Sequence, residues 1–261
     1  MSAAYLQDLF GLDGQVAVVI GGTGVLGGAL CDGLAAAGAA VVVAGRSKER
    51  GQERELHIRA AGGEAYFMPV DAAQRASIQR LCDDALRQLG RVDILVNCAG
   101  VNSATPYEQI SEEDWHRVIN ANLTGTHLAC QIFAPVMARQ ETGGAILNIG
   151  SVTAHLPLSR VFAYSASKAA VVNLTKNLAR EYAPKNIRIN VLCPGFFPAE
   201  QNRKILDQER VTSIMAQTPM KRFGEPHELV GAALLLVSRK AGSFITGADY
   251  YVDGGFTAMR F

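Results

Sequence analysis

The chain has 261 residues, of which 49% are apolar and 19% charged, with 25 Lys and Arg against 24 Asp and Glu. That composition suits a domain with a full core and excludes a disordered or fibrous chain. A net charge of +1 gives no electrostatic case for a nucleic-acid or membrane-surface partner, and no run of eighteen apolar residues marks a membrane span.

The N-terminal stretch MSAAYLQDLFGLDG lacks the basic start and apolar run of a secretory signal. Beyond it, apolar runs predict strands at 16–20, 40–44, 65–70, 94–97, 145–149, 187–192 and 250–252. Most are continuously apolar, as strands covered on both faces of a parallel sheet must be. Helical patterns fall between them, near 25–37, 48–61, 74–89, 112–139, 163–183, 204–217 and 226–237. Gly38 and Gly90 stand where a left-handed C-terminal glycine belongs, Ser111 with Asp114 forms a capping pattern, and Pro226 suits a first helical position. No linker or repeat divides the chain, so residues 1–261 are expected to form one doubly wound α/β domain with a parallel seven-stranded sheet of Rossmann type. The five cysteines (Cys31, Cys82, Cys98, Cys130, Cys193) show no metal-ligand spacing and read as buried free thiols of a cytoplasmic protein.

The first strand runs into Gly21-Gly22-Thr23-Gly24-Val25-Leu26-Gly27, which contains GxGxxG as Gly22, Gly24 and Gly27. Placed between a strand and a helix, such a turn lets bare backbone N–H groups approach a pyrophosphate at the helix N-terminus. The second strand ends in Gly45-Arg46-Ser47, with no acid to hold the ribose hydroxyls of NAD. An arginine and a hydroxyl there favour the 2′-phosphate of NADP(H), with NAD as the alternative.

Farther on, Ser151 precedes Tyr164 by thirteen residues and Lys168 follows it by four. Four residues are about one helical turn, so Tyr164 and Lys168 share a helix face. A free phenol has a pKa of about 10, and a neighbouring ammonium together with a positively charged nicotinamide ring is expected to lower it. The three residues make an acid/base centre suited to moving a proton on and off an alcohol.

These motifs, with Asp71, Asn97-Cys98-Ala99-Gly100, Asn122 in NANLTG, Pro194-Gly195, Ile245-Thr246-Gly247 and Asp253-Gly254-Gly255, resemble the short-chain dehydrogenase/reductase superfamily from end to end. The resemblance implies that Asp71 and Ala72 border the adenine and that Asn97, Ala99 and Gly100 line the coenzyme. It implies that Ser151 orients the substrate oxygen, Tyr164 exchanges its proton, Lys168 binds the nicotinamide ribose, and Asn122 holds a water in a proton relay. Pro194, Gly195 and backbone groups near Phe197 would lie beside the nicotinamide. The chain departs from the family at Ile20, usually threonine, at Val25, usually the middle glycine, and after Pro194-Gly195, where Phe196-Phe197-Pro198-Ala199-Glu200 replaces a segment with a threonine.

The stretch PGFFPAEQNRKIL, within a substrate loop of about 196–215, is similar to a sugar-acid branch acting on gluconate-type or mannonate-type acids. A sugar acid needs a carboxylate partner and amides for its hydroxyls, for which His155, Arg160, Gln201, Asn202 and Arg203 are candidates. The competing reading leaves Arg160 in solvent and Arg203 on a lid helix without ligand contact. A 3-oxoacyl-carrier-protein reductase and a non-catalytic dinucleotide-binding sensor are the alternative functions. Apolar residues on more than one face of the helices at 112–139 and 163–183, among them Leu128, Ile132, Val136, Val171, Leu174 and Leu178, point to a homotetramer like that of relatives.

Overall fold

Alternating side chains along the central strands go to opposite faces of the sheet, and both faces are dry. Ala17 and Val19 of β1 (Val16–Ile20) join one core, while Val18 and Ile20 join the other. Val41 and Val43 of β2 (Ala40–Gly45) divide from Val42 and Ala44 in the same way. This explains the continuous apolar runs, because no strand position between two helical layers meets water. The structure, a computed structural model, describes residues 2–197 and 208–258.

The remaining strands are β3 (Glu64–Pro69), β4 (Ile94–Asn97), β5 (Gly144–Ile149), β6 (Ile187–Pro194) and β7 (Asp249–Val252). All pair in parallel, in the order β3-β2-β1-β4-β5-β6-β7. The first face is covered by α2 (Val25–Ala36) and α3 (Lys48–Ala60) through Leu30, Leu34 and Ile58. The second is covered by α4 (Arg75–Leu89) through Ile78 and Leu81. The seven-stranded, doubly wound expectation is met, with strand ends shifted by one or two residues.

Three helical differences have physical causes. A short N-terminal helix, α1 (Ala3–Phe10), has no buried residue, so no apolar stripe announces it; Ser2 caps it by accepting from the Tyr5 N–H at 3.3 Å. The expected helix at 112–139 is divided into α5 (Glu112–Ile119), a π-helical turn (Asn120–Thr124) and α6 (Gly125–Met137). The expected helix at 226–237 opens with a 3₁₀ turn (Pro226–Leu229) and continues as α9 (Val230–Val237). Between β5 and β6 runs α7 (Phe162–Tyr182). Of the expected helix at 204–217, α8 (Gln208–Gln217) is described and its start lies outside the described residues. Gly38 and Gly90 have φ of +101° and +77°, the left-handed C-terminal positions read from the sequence.

Candidate active site

Segments distant in sequence meet at the carboxyl ends of the strands, where the sheet order reverses between β1 and β4. The turn from β1 into α2 is built on close approaches. Gly21 has φ +95°, and a Cβ there would lie 2.5 Å from the Ala99 nitrogen. One on Gly27 would lie 2.2 Å from the Gly21 carbonyl oxygen, and one on Gly22 2.9 Å from Cys31 Sγ. Gly24 meets only the Gly21 oxygen at 3.3 Å, so packing demands Gly21, Gly22 and Gly27 more than the middle residue of the GxGxxG match. Val25, at the family's middle glycine, opens α2 with its side chain exposed. The bare-backbone cradle at the start of α2 fits a pyrophosphate. Thr23 and Arg46 are accessible beside it, whereas the Ser47 hydroxyl caps α3 by accepting from the Arg50 N–H at 3.3 Å.

Asp71 Oδ1 accepts from the Ala73 N–H at 3.0 Å in the turn before α4, leaving its second oxygen for a ligand. The Ala72 carbonyl presses on Gly125, where a Cβ would come within 2.7 Å of it. Asn97 is built into the sheet: its amide donates to Asn148 Oδ1 at 2.8 Å, and Asn148 donates to Thr175 Oγ1 of α7 at 2.9 Å. Asn97 Oδ1 is buried without a partner among the described residues, and Asn97 borders a small cavity shared with Ile20, Ala72, Ala99 and Thr126. The Asn97 side chain thus has only its oxygen left for a ligand, because the amide nitrogen ties β4 to β5.

Tyr164 and Lys168 lie one turn apart at the start of α7, with Lys168 Nζ 5.5 Å from the Tyr164 ring centre. Lys168 is buried and donates to the Ile149 carbonyl at 2.7 Å. Ser151, two residues beyond β5, accepts from the Thr153 N–H at 3.2 Å and shares a hydrogen bond with Tyr164. Gly100 closes the group, since a Cβ there would lie 3.2 Å from Asn122 Oδ1 and 3.7 Å from Lys168 Nζ.

Asn122 sits in the π-turn, fully buried. Its oxygen accepts from the Val101 N–H at 2.8 Å, and its nitrogen donates to the Val101 carbonyl and to Ser167 Oγ, each at 3.0 Å. Its backbone carbonyl accepts from Thr126 Oγ1 at 2.7 Å. Both Asn122 side-chain amide hydrogens are therefore engaged within the fold.

Burial acts on both ionisable groups of the site. Burial pushes the Tyr164 phenol up to about 12, with the Ser151 hydrogen bond pulling the other way, and burial pushes Lys168 down to about 8. Lys168 does not by itself make the phenol acidic, because the pocket that brings the two groups together withdraws water from both. In this state Tyr164 is a protonated donor at neutral pH.

The substrate candidates separate. His155 Nε2 lies 3.1 Å from Asp249 Oδ2, and its ring packs edge-on to Tyr251 with centres 5.4 Å apart. Nε2 is engaged in a link to β7, while the side chain stays nearly half exposed. Arg160 is exposed just before α7, in a left-handed backbone of φ +63°. Gln201, Asn202 and Arg203 lie outside the described residues. Gly195 donates to the Val252 carbonyl at 2.9 Å, and a Cβ on it would lie 2.7 Å from Asp253 Cα. The Phe197 ring is buried against Gly224 in the first core, so a coenzyme contact from this residue is limited to its backbone.

Two residues escaped the sequence reading. Ser167 accepts from Asn122 and donates to the Tyr164 carbonyl at 2.6 Å, tying the π-turn to α7. Only its place beside Lys168 hinted at this. Arg210 of α8 donates to the Ser159 carbonyl at 2.8 Å, which docks α8 on the loop before α7; no local pattern signals it.

A family model described as "Enoyl-(Acyl carrier protein) reductase" matches residues 24–257. Uncharacterized oxidoreductase UxuB of Bacillus subtilis is 37% identical over 95% of this chain and 96% of its own length. Gluconate 5-dehydrogenase of Gluconobacter oxydans is 36% identical over 96% and 97%. The crystal structure of a gluconate 5-dehydrogenase from Burkholderia cenocepacia, in complex with NADP and tartrate, is 35% identical, covers 98% of this chain and 100% of its own, and superposes with a TM-score of 0.93. Fold, crevice and full-length similarity agree that the chain belongs to the short-chain dehydrogenase/reductase family, whose members act as oxidoreductases on alcohol and carbonyl groups.

Proposed function

We propose that the protein is an NADP(H)-dependent oxidoreductase that interconverts a keto and a hydroxyl group on a sugar acid or similar polyhydroxy compound. The observation that carries the reaction is the joint placement of Ser151, Tyr164 and Lys168 at the carboxyl ends of β5 and β6, beside the glycine cradle. The nicotinamide coenzyme, when bound, supplies or accepts the hydride. Ser151 holds the substrate oxygen, and Tyr164 donates its proton as the alcohol forms. Lys168, fixed by the Ile149 carbonyl, orients the ribose and passes a proton toward Tyr164, with the Asn122 carbonyl holding the water that resupplies it.

Arg46 and the absence of an acid at Gly45 support NADP over NAD, as does the coenzyme in the Burkholderia structure. Tartrate in that complex and the name of the Gluconobacter relative support a polyhydroxy carboxylate as substrate, with Arg160 as its carboxylate partner in this chain. Five free thiols, four of them buried, support a reducing, cytoplasmic setting. The homotetramer is supported by apolar surface on Tyr107, Phe162, Phe244 and Tyr250. It is not supported by Ile132 and Val171, which are buried within the chain.

Tyr164→Phe tests the reaction: turnover falls by a factor of about 10³ while NADPH affinity holds. Unchanged turnover refutes the acid role, and a panel of 5-ketogluconate, fructuronate and an acetoacetyl thioester tests the substrate class. Arg46→Ala weakens NADPH by roughly tenfold and NADH little. Equal losses in binding titrations refute its phosphate role.

A further inference from the structure

Gly45 closes β2 in a buried position, and its backbone is not among those with positive φ. Local conformation therefore does not require glycine there; neighbouring space does. A Cβ on Gly45 would lie 2.4 Å from Thr23 Oγ1, 2.7 Å from Thr23 Cγ2 and 3.0 Å from Thr23 Cβ. Carbon atoms in contact normally stand about 3.5–4.0 Å apart. Rotating Thr23 about χ1 exchanges one substituent for another and leaves its Cβ in place. The turn cannot back away either, because the Gly21 and Gly22 N–H groups both donate to the Ala44 carbonyl, at 2.8 and 3.0 Å, next to Gly45.

The end of β2 is where NAD-type sites place an acid for the ribose hydroxyls. Here a side chain of any kind at that position collides with Thr23. The Thr23 hydroxyl has no hydrogen-bond partner among the described residues. Thr23 borders a cavity of about 410 Å³ shared with Gly24, Val25, Arg50, Glu53, Arg54 and His57, two arginines against one carboxylate.

We propose that Thr23 and Gly45, from two separate motifs, act as one coenzyme-selectivity pair: the threonine side chain bars a carboxylate from the end of β2 and turns its hydroxyl to the 2′-phosphate of NADP. This rests on the NADP(H) reading above. Selectivity is then set by a packing constraint, so it does not yield to a single acidic substitution. Gly45→Asp loses coenzyme without gaining NADH, because the new side chain must displace the phosphate turn.

Binding titrations of NADPH and NADH on the full-length protein, with thermal melts to verify folding, test the pair. Gly45→Ala adds one methyl group and weakens both coenzymes by roughly tenfold or more; Thr23→Gly in the same chain restores NADH binding and brings NADPH back only to the level of Thr23→Val. Thr23→Gly with Gly45→Asp binds NADH at least about tenfold tighter than Gly45→Asp alone. Thr23→Val keeps the bulk, removes the hydroxyl, and weakens NADPH by roughly tenfold with NADH unchanged. A Gly45→Ala protein that fails to fold supports the clash only if Thr23→Gly recovers folding, and its failure to do so overturns the pair. Wild-type affinity in Gly45→Ala, or tighter NADH binding in Gly45→Asp alone, also overturns it. A wild-type protein that prefers NADH instead removes the coenzyme reading, while the rescue of Gly45→Ala by Thr23→Gly still decides whether the two residues are coupled.

Discussion

Lys168 is a cation held where a cation is costly. Burial lowers it to about 8, so between about pH 8 and the ordinary lysine value of about 10.4 the native chain binds fewer protons than the unfolded one. The sign follows: folding is penalised in full below about pH 8, and the penalty is relieved as pH rises through that window. Thermal melts of wild type and Lys168→Met at several pH values check this. Wild type is expected to gain stability on the variant between pH 8 and 10, and a constant difference counts against a buried ammonium. Tyr164 shows the complementary effect, held protonated by burial and hence ready to donate. The spacing of Tyr164 and Lys168 was legible from helix geometry alone, but their proton affinities were not, because desolvation depends on what covers the pair.

The π-turn at Asn120–Thr124 is the element-scale counterpart. Its sequence NANLT carries no helix breaker, so periodicity predicts an unbroken helix across it. The extra residue in the turn is accompanied by the Asn122 bonds to Val101 and Ser167, which join α5, the loop after β4 and α7. Asn122→Leu strands both Val101 backbone groups in the interior, at about 1–3 kcal/mol for each unsatisfied group. The expected outcome is a lower melting temperature together with at least about tenfold slower turnover, through displacement of Lys168. Stability lost with turnover intact at a permissive temperature argues that Asn122 only holds the loop.

At the scale of the whole molecule, chemistry and mechanical closure occupy opposite ends of the sheet. Asp93, just before β4, has a fully buried carboxylate that accepts from the Val16 N–H at 2.9 Å and pairs with Arg91 and Arg239. It fastens the start of β1 and the segment after α9 at the amino ends of the strands, remote from Ser151 and Tyr164. Asp93→Ala strands the buried Val16 N–H, at about 1–3 kcal/mol, and removes two partly exposed arginine pairs worth about 0.2–1 kcal/mol each. Denaturant titration checks the loss, and kcat at low temperature stays near wild type. A fall in kcat without loss of stability contradicts the separation.

The order of strands and helices, the glycine turn and the Ser151, Tyr164 and Lys168 spacing were readable from the chain because each is written locally, in a period, a break or a fixed offset. The roles of Ser47 as a helix cap, His155 as a partner of Asp249 and Asn97 as a tie to Asn148 were not. Each depends on which polar group another segment presents across the fold. Sequence order determined what kinds of residue line the crevice. Only tertiary packing decided which of their donors and acceptors are already engaged, because a hydrogen bond made inside the fold is no longer available to a ligand.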